Sequence, residues 1–241
     1  MNKAISYTDS IYSAHNIGAF DTLKYVKIVT KFTKERFYHG LSRYSIFDNW
    51  IAYLSGKILW SHMSAIVNPE DILKHSEGLC SQQTIVFMEM LMRKGIKVRS
   101  VGLGYKEGPG HFLSEVYCNG SWHLYDVSLE PNWKKIAFHH ESMEYYLSHK
   151  DSLYVTYQET MPKNIFDKLI TNVKYGKAND FPAKKMLLFH QITYVITYLI
   201  PLFFLALIII SYRYPKKNNT SLYSKSPEYL EKVSESVEQS T

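Results

Sequence analysis

The chain has 241 residues, of which 46% are hydrophobic and 15% aromatic, so it can bury one sizeable core and is not a disordered protein. Its two cysteines are too few for a disulfide scaffold or for a four-cysteine zinc site. The net charge of +6 comes from basic residues that are spread along the chain rather than clustered, and we therefore expect no nucleic-acid partner.

The N-terminal part of the chain is predicted to be helical. From about Ala19 to Ala65, apolar residues recur at helical spacing, which predicts two or three amphipathic helices with breaks near Gly40 and Gly56. The polar residues at the very start have no apolar stretch behind them, so no secretory signal is expected. We assign residues 1–69 to the N-terminal helical part of the core.

A stronger helix signal covers Ser81 to Arg93, where apolar residues fill a broad face and Gly95 follows a basic last turn. Cys80 stands at the start of this helix. The aligned N–H groups of a first helical turn stabilise a thiolate, which makes Cys80 a candidate nucleophile. Taken alone, a cysteine in this position is also typical of a small core residue.

The hydrophobic period changes to that of strands after Gly95. Asn119-Gly120 between two β-rich runs is a strong signal for a two-residue hairpin turn. The predicted strands are Val98 to Tyr105, His111 to Cys118 and Ser121 to Val127.

The hairpin turn also predicts a cross-strand register. If Cys118 pairs with Ser121, the numbers of paired residues sum to 239, and Leu113 lies opposite Asp126. His111 is then a diagonal neighbour of Asp126 on the same face, about 7–8 Å away at the backbone. A carboxylate that orients an imidazole produces the general base that a thiol nucleophile needs.

The second cysteine, Cys118, points to the face opposite His111. It lies seven residues along the strand from His111, or roughly 23 Å at about 3.3 Å per residue. Bridged cysteines have Cα atoms within about 7 Å of each other. If Cys80 approaches His111, it therefore forms no disulfide with Cys118, which we expect to be a packed core thiol.

The C-terminal part contains a segment suited to a membrane. Residues 187–210 include no charged side chain over 24 positions, and a bilayer core requires about 20, so a single transmembrane helix is expected. Four basic residues lie within fifteen positions on each side, and the flanking charge does not decide the orientation. Since a folded domain without a signal is hard to translocate, we expect that domain on the cytoplasmic side. Residues 211–241 are polar and predicted to form a disordered tail.

No metal or cofactor is expected. His139, His140 and Glu141 are adjacent, but neighbouring histidines share no helix or strand face, and no further ligand is spaced to complete a site.

Several short motifs occur together in a fixed order. They are Gly78-Leu79-Cys80 before an apolar helix, Gly95-Ile96 followed by Arg99, Gly110-His111 followed by Glu115-Val116, and Trp122 followed by Asp126. This ordered set, over roughly residues 70–133, resembles the transglutaminase-like superfamily, and the chain resembles a membrane-anchored member of the bacterial type.

The resemblance implies a papain-like α+β core, with a cysteine-bearing helix packed on an antiparallel sheet. It implies a Cys-His-Asp triad in which Cys80 is the nucleophile, His111 the base and acid, and Asp126 the orienting carboxylate. The implied chemistry is acyl transfer through a thioester. The backbone N–H of Cys80 is the natural oxyanion donor. Gln82 and Gln83 are further candidates, although solvated or helix-packing amides are an equally good interpretation.

The sequence therefore predicts a membrane-anchored cysteine protease, amidase or transglutaminase-type acyltransferase acting on a peptide or protein amide. Hydrolysis is favoured over transfer because water is the default acyl acceptor. The alternative is a non-catalytic, membrane-tethered module of the same fold that binds a peptide or a glycan-assembly partner. Residues 134–186 complete the soluble domain and lead to the membrane segment.

Overall fold

The computed structural model describes residues 1–16, 18–104, 110–129 and 140–213. The chain divides into two compact units, Met1–Tyr194 and Val195–Thr241. The first unit combines helices with an antiparallel sheet, which confirms the α+β class. The described part of the second unit, residues 195–213, is helical.

The helices in the described residues begin and end as follows: α1 Asn2–His15, α2 Thr22–Arg36, α3 Ile46–Ile58, a 3₁₀ helix Ser61–Ser64, α4 Pro69–Ile72, α5 Cys80–Arg93, α6 Met143–Ser148, α7 Lys150–Tyr157, α8 Lys163–Leu169 and α9 Lys184–Arg213. The helix α1 was not predicted, because its residues are mostly polar. It packs through Thr8 and Tyr12, which are buried, and the Tyr12 ring lies edge-on to Tyr25 of α2.

The predicted break near Gly40 is confirmed, since α2 ends at Arg36. The break predicted near Gly56 is also confirmed, since α3 ends at Ile58. A Cβ atom added at Gly56 would lie 2.5 Å from Ser64 Oγ. Glycine at this position also allows the 3₁₀ helix to approach α3 closely.

The strands in the described ranges are β1 Tyr38–His39, β2 Glu77–Gly78, β3 Val98–Gly104, β4 Gly110–Cys118, β5 Ser121–Tyr125 and β6 Asn172–Tyr175. Four of them form the main sheet in the order β5-β4-β3-β6, and all of its pairs are antiparallel. A separate two-stranded parallel pair joins β1 to β2.

The predicted hairpin register is confirmed. Cys118 pairs with Ser121, and Ser114 pairs with Tyr125, so the paired numbers sum to 239 as expected. Asn119 and Gly120 both have positive φ, the conformation that a tight hairpin turn requires. The strand β6 was not predicted, and it extends the sheet by pairing with β3.

Apolar residues on the two faces of the sheet belong to separate clusters. One cluster joins α5 to Val98 and Val116. The other joins Val101 and Leu113 to the helices α6, α7 and α8. Residues that alternate along a strand point to opposite faces, so the sheet is covered on both sides.

A buried ion pair connects β3 and β4. Arg99 Nη2 lies 2.6 Å from Glu115 Oε2, and Glu115 is fully buried. The guanidinium lies over the rings of Trp122 and Tyr175, at 4.2 and 4.5 Å from their centroids. The other carboxylate oxygen accepts a hydrogen bond from the Met143 backbone N–H at 2.6 Å. This pair therefore connects all four strands of the main sheet to the start of α6.

The helix α9 contains the whole predicted membrane segment. It has 30 residues, about 45 Å at 1.5 Å per residue, and an 18-residue window in it has a mean hydropathy of 2.4. It is long and apolar enough to cross a membrane. Residues 211–213, at the start of the predicted tail, are helical. Residues 214–241 lie outside the described part of the chain.

Candidate active site

Cys80 is the first residue of α5. Its side chain is half-buried, and the backbone N–H of Phe112 in β4 donates a hydrogen bond to its sulfur. One turn further along α5, Thr84 Oγ1 donates to the carbonyl oxygen of Phe112 at 3.1 Å. These two contacts hold the beginning of α5 against the beginning of β4, where His111 lies.

The imidazole of His111 contacts both of the other predicted residues. Its Nε2 lies 2.6 Å from Asp126 Oδ2, and both side chains are buried. The imidazole also forms a hydrogen bond with the Cys80 thiol. Because Nε2 faces the carboxylate, Nδ1 is the ring nitrogen left for the sulfur. The structure thus brings Cys80, His111 and Asp126 together, with the imidazole between the thiol and the carboxylate.

These contacts shift the proton affinities of the pair in opposite directions. Burial alone raises the pKa of Cys80, but the hydrogen bond and the positive charge of His111 outweigh it, and the pKa lies below its ordinary value. Burial alone lowers the pKa of His111, but the carboxylate of Asp126 and the bond to Cys80 outweigh it, and the pKa is raised. The arrangement therefore favours a thiolate beside an imidazolium.

The carboxylate of Asp126 is held by several donors. Its Oδ1 accepts hydrogen bonds from the Ser128 backbone, the Ser128 hydroxyl and the Leu129 backbone, each at 3.1 Å. These bonds form an Asx-type turn directly after β5. Burial raises the pKa of Asp126, but His111 and these donors outweigh it, so the pKa is lowered and the group is ionised.

Tyr157 is a fourth member of this arrangement. Its hydroxyl donates to Asp126 Oδ2 at 2.8 Å from the end of α7, and the side chain is buried. Burial and the nearby carboxylate raise the pKa of Tyr157 well above its ordinary value, so it remains a donor. The sequence analysis missed this residue, because a tyrosine 31 positions from its partner, in a segment without clear periodicity, has no local signal.

The amides of the two candidate glutamines bond to backbone groups. Gln82 Nε2 donates to the carbonyl oxygens of Ser42 and Ile66, at 2.8 and 2.7 Å. Its Oε1 accepts from the backbone N–H groups of Ser42 and Leu79, at 3.0 and 3.1 Å. Gln83 Nε2 donates to the Gly78 carbonyl oxygen at 2.7 Å. Both amides therefore fix the loop before Cys80, and Gln82 has no donor left for an oxyanion.

The remaining oxyanion donors are backbone groups. The first N–H groups of an α-helix have no acceptor within the helix, and Cys80 and Ser81 occupy these positions in α5. The helix dipole adds a partial positive charge at the same place. A developing oxyanion on a carbonyl carbon attacked by Cys80 lies in reach of this helix end.

The second cysteine and the histidines that the sequence analysis considered have contacts typical of structural residues. Cys118 is buried, and neither cysteine forms a disulfide. His140 Nδ1 bonds to the Leu124 carbonyl oxygen at 2.8 Å, and its ring stacks on Tyr125. His139 lies outside the described residues. Within the described ranges, no group of three His, Cys, Asp or Glu side chains is placed to hold a metal ion.

Comparisons with known proteins give little further guidance. No protein-family model matches the chain, and no curated protein matches it. Three chains of solved structures match, one of which is described as "Crystal structure of a TGase". That match has 14% sequence identity and a TM-score of 0.35, and it covers 61% of this chain and 35% of the other. A similarity at this level leaves the functional interpretation to the geometry of the site.

Proposed function

We propose that the chain is a membrane-anchored, transglutaminase-like cysteine enzyme with a papain-like core that acts on amide bonds through a thioester. The observation that supports this most directly is the imidazole of His111, which bonds Asp126 on one side and the Cys80 thiol on the other. A buried aspartate and a histidine beside a thiol at a helix start form a costly arrangement for a purely structural role.

In the first half-reaction, the thiolate of Cys80 attacks the carbonyl carbon of the amide, forming a C–S bond. The carbonyl electrons move to oxygen, where the N–H groups at the start of α5 stabilise the charge. When the tetrahedral intermediate collapses, the C–N bond breaks, and His111 Nδ1 donates its proton to the leaving amine. Asp126 keeps the imidazole in position and stabilises its charged form.

In the second half-reaction, neutral His111 takes a proton from a water molecule, which attacks the thioester carbon. Collapse of the second intermediate breaks the C–S bond, releases the carboxylic acid and restores the thiolate–imidazolium pair. An amine in place of water would give transfer, and we favour hydrolysis because water is the default acceptor.

The anchor is the helix α9, which is long and apolar enough to cross a membrane. We place the domain before this helix on the cytoplasmic side of the membrane. Protease treatment of sealed vesicles of known orientation tests this placement. Digestion of the domain from the outer face would contradict it.

The activated thiol is tested by site-resolved alkylation with iodoacetamide as a function of pH, followed by mass spectrometry. We expect Cys80 to be labelled below the ordinary thiol pKa of about 8.5. In His111→Ala, burial and the charge of Asp126 remain and both raise the pKa of Cys80, so labelling at neutral pH should fall sharply. Cys118, whose pKa burial raises, is an internal reference in the same protein.

Equal labelling of Cys80 in the wild type and in His111→Ala would contradict the proposal. So would full turnover of an amide substrate by Cys80→Ser. Either result would favour the alternative of a membrane-tethered module that binds a peptide or a glycan-assembly partner without catalysis.

A further inference from the structure

An apolar cavity of about 220 Å³ lies beside the candidate nucleophile. Leu79 and Ser81, the chain neighbours of Cys80, form part of its wall. Phe112, whose backbone N–H donates to the Cys80 sulfur, forms another part. Cys80 and His111 are not among the described residues that line it, so the cavity lies beside the start of α5 and not at the thiolate itself.

The walls of this cavity are suited to a hydrocarbon. Ile85 of α5 and Ile66 contribute aliphatic surface. Ala183 and Met186, which lie near the end of the first unit in the sequence, contribute more. Among its described lining residues there is no Lys, Arg, Asp or Glu. The amide of Gln82 also lines it, but its donors and acceptors are used by backbone groups. An apolar occupant is favoured because it leaves no polar group unpaired.

The size of the cavity favours a small apolar group. Pockets for drug-sized ligands are larger, at about 300–1,000 Å³. An apolar cavity of about 150 Å³ is large enough to bind benzene. At about 220 Å³, this cavity has room for a short hydrocarbon chain or for one small ring.

The surroundings of the cavity point to the membrane as the source of the occupant. Met186 lines the cavity and directly precedes the apolar run that starts at residue 187. Asn49 of α3 donates to Thr193 Oγ1 at 2.9 Å, and His190 bonds the Met63 carbonyl oxygen at 2.8 Å, so α3 and the 3₁₀ helix pack on the beginning of α9.

The segment that contains α3 and leads to the 3₁₀ helix exposes large apolar side chains. Phe47, Ile58 and Leu59 are 92%, 75% and 73% exposed, and Trp60 is also exposed. His62, two residues further on, lines the cavity. An apolar surface with a tryptophan next to a membrane helix is typical of the boundary between headgroups and hydrocarbon. The cavity thus lies at the part of the domain that is best suited to contact lipid.

We propose, building on the proposed function, that this cavity binds the linear acyl chain of a membrane-resident N-acyl amide, whose carbonyl carbon is then attacked by Cys80. The C–S bond forms as the C–N bond breaks, and the proton on His111 leaves with the amine. Water hydrolyses the thioester and releases the fatty acid. The cavity makes acyl-chain length the main determinant of substrate choice.

The test uses the full chain in lipid nanodiscs and a series of aminomethylcoumarin amides with acetyl, butanoyl, hexanoyl, octanoyl, decanoyl and dodecanoyl groups. Since each buried methylene contributes to binding, kcat/KM should rise about fourfold per CH₂ over the short members. The rise should level off at the longer members, whose chains exceed the cavity. Equal rates across the series would overturn the proposal.

A filled cavity provides the matched comparison. In Ala183→Phe, a ring takes up space in the cavity, so the preference for octanoyl over acetyl should disappear. Leu188→Phe adds the same ring on an exposed position of α9 that does not line the cavity, and it should retain the preference. An N-acetyl-phenylalanyl amide tests a peptide side chain as the occupant. A higher kcat/KM for it than for the octanoyl amide would also overturn the proposal.

A second measurement does not depend on catalysis. In Cys80→Ser, an octanoyl amide with a terminal diazirine should label cavity residues such as Met186 on irradiation, and octanamide should compete. If no coumarin amide is cleaved in a Cys80-dependent way but this labelling occurs, the proposed reaction fails while the chain-binding cavity stands. The absence of competed labelling at the cavity would overturn the chain-binding proposal itself.

Discussion

Replacing Tyr157 by phenylalanine isolates one hydrogen bond to the buried carboxylate. The substitution removes the hydroxyl that donates to Asp126 Oδ2 at 2.8 Å and leaves the ring in its apolar cluster. A hydrogen bond to a charged group contributes about 1.5–3 kcal/mol. For a unit of this size, 1 kcal/mol corresponds to about 2–4 °C, so the unfolding midpoint should fall by about 3–12 °C.

The structure offers a matched control in Tyr125. This side chain is equally buried, but within the described part of the chain its hydroxyl has no hydrogen-bond partner. Tyr125→Phe removes a buried hydroxyl that is desolvated without compensation, so the midpoint should stay the same or rise. The same chemical change is thus expected to have opposite signs at Tyr125 and Tyr157.

Thermal unfolding of the full chain in detergent, followed by near-ultraviolet circular dichroism, measures both variants. Tyr157→Phe should also reduce Cys80 alkylation at low pH. Without the hydroxyl, the Asp126 carboxylate is positioned less firmly, and it orients the His111 imidazole less well. A fall of equal size in both variants would refute the reasoning. It would mean that the hydrogen bond from Tyr157 to the carboxylate contributes no more to the free energy of unfolding than a buried tyrosine hydroxyl without a partner.

Two further outcomes follow from the same contacts. The folded pKa of Asp126 is lowered, so the stabilisation from its ion pair is present above the unfolded pKa of about 3.9 and is lost as the pH falls below it. In Asp126→Asn, the unfolding midpoint should be lower at pH 7 and depend less on pH between 5 and 2, and an unchanged acid dependence would contradict this assignment. Gln82→Leu removes four hydrogen bonds and leaves three backbone groups, the N–H of Ser42, the N–H of Leu79 and the carbonyl of Ile66, without that partner, so it should cost more than about 3 kcal/mol; Gln83→Leu loses one bond and should cost about 1 kcal/mol. Equal midpoints for the two glutamine variants in thermal unfolding would show that the Gln82 contacts are not stabilising.

The relation between His111 and Asp126 was accessible from sequence because it depends on local geometry. The Asn119-Gly120 turn sets the hairpin register, and the alternation of strand side chains then places both residues on one face. The position of Cys80 at a helix start and the apolar run near the C-terminus are also local patterns. Each is determined by residues that are neighbours in the chain.

Only the tertiary structure decided which groups support this site. Tyr157 reaches Asp126 from a helix 31 residues away, and Gln82 holds loops at Ser42 and Ile66 instead of facing a substrate. Gly56 allows a close approach of two segments, in addition to lying near a helix end. Such contacts depend on how separate elements pack, and packing leaves no periodic signal in the chain. The turn and the strand alternation determined the histidine–aspartate pair, while packing determined the residues that surround and stabilise it.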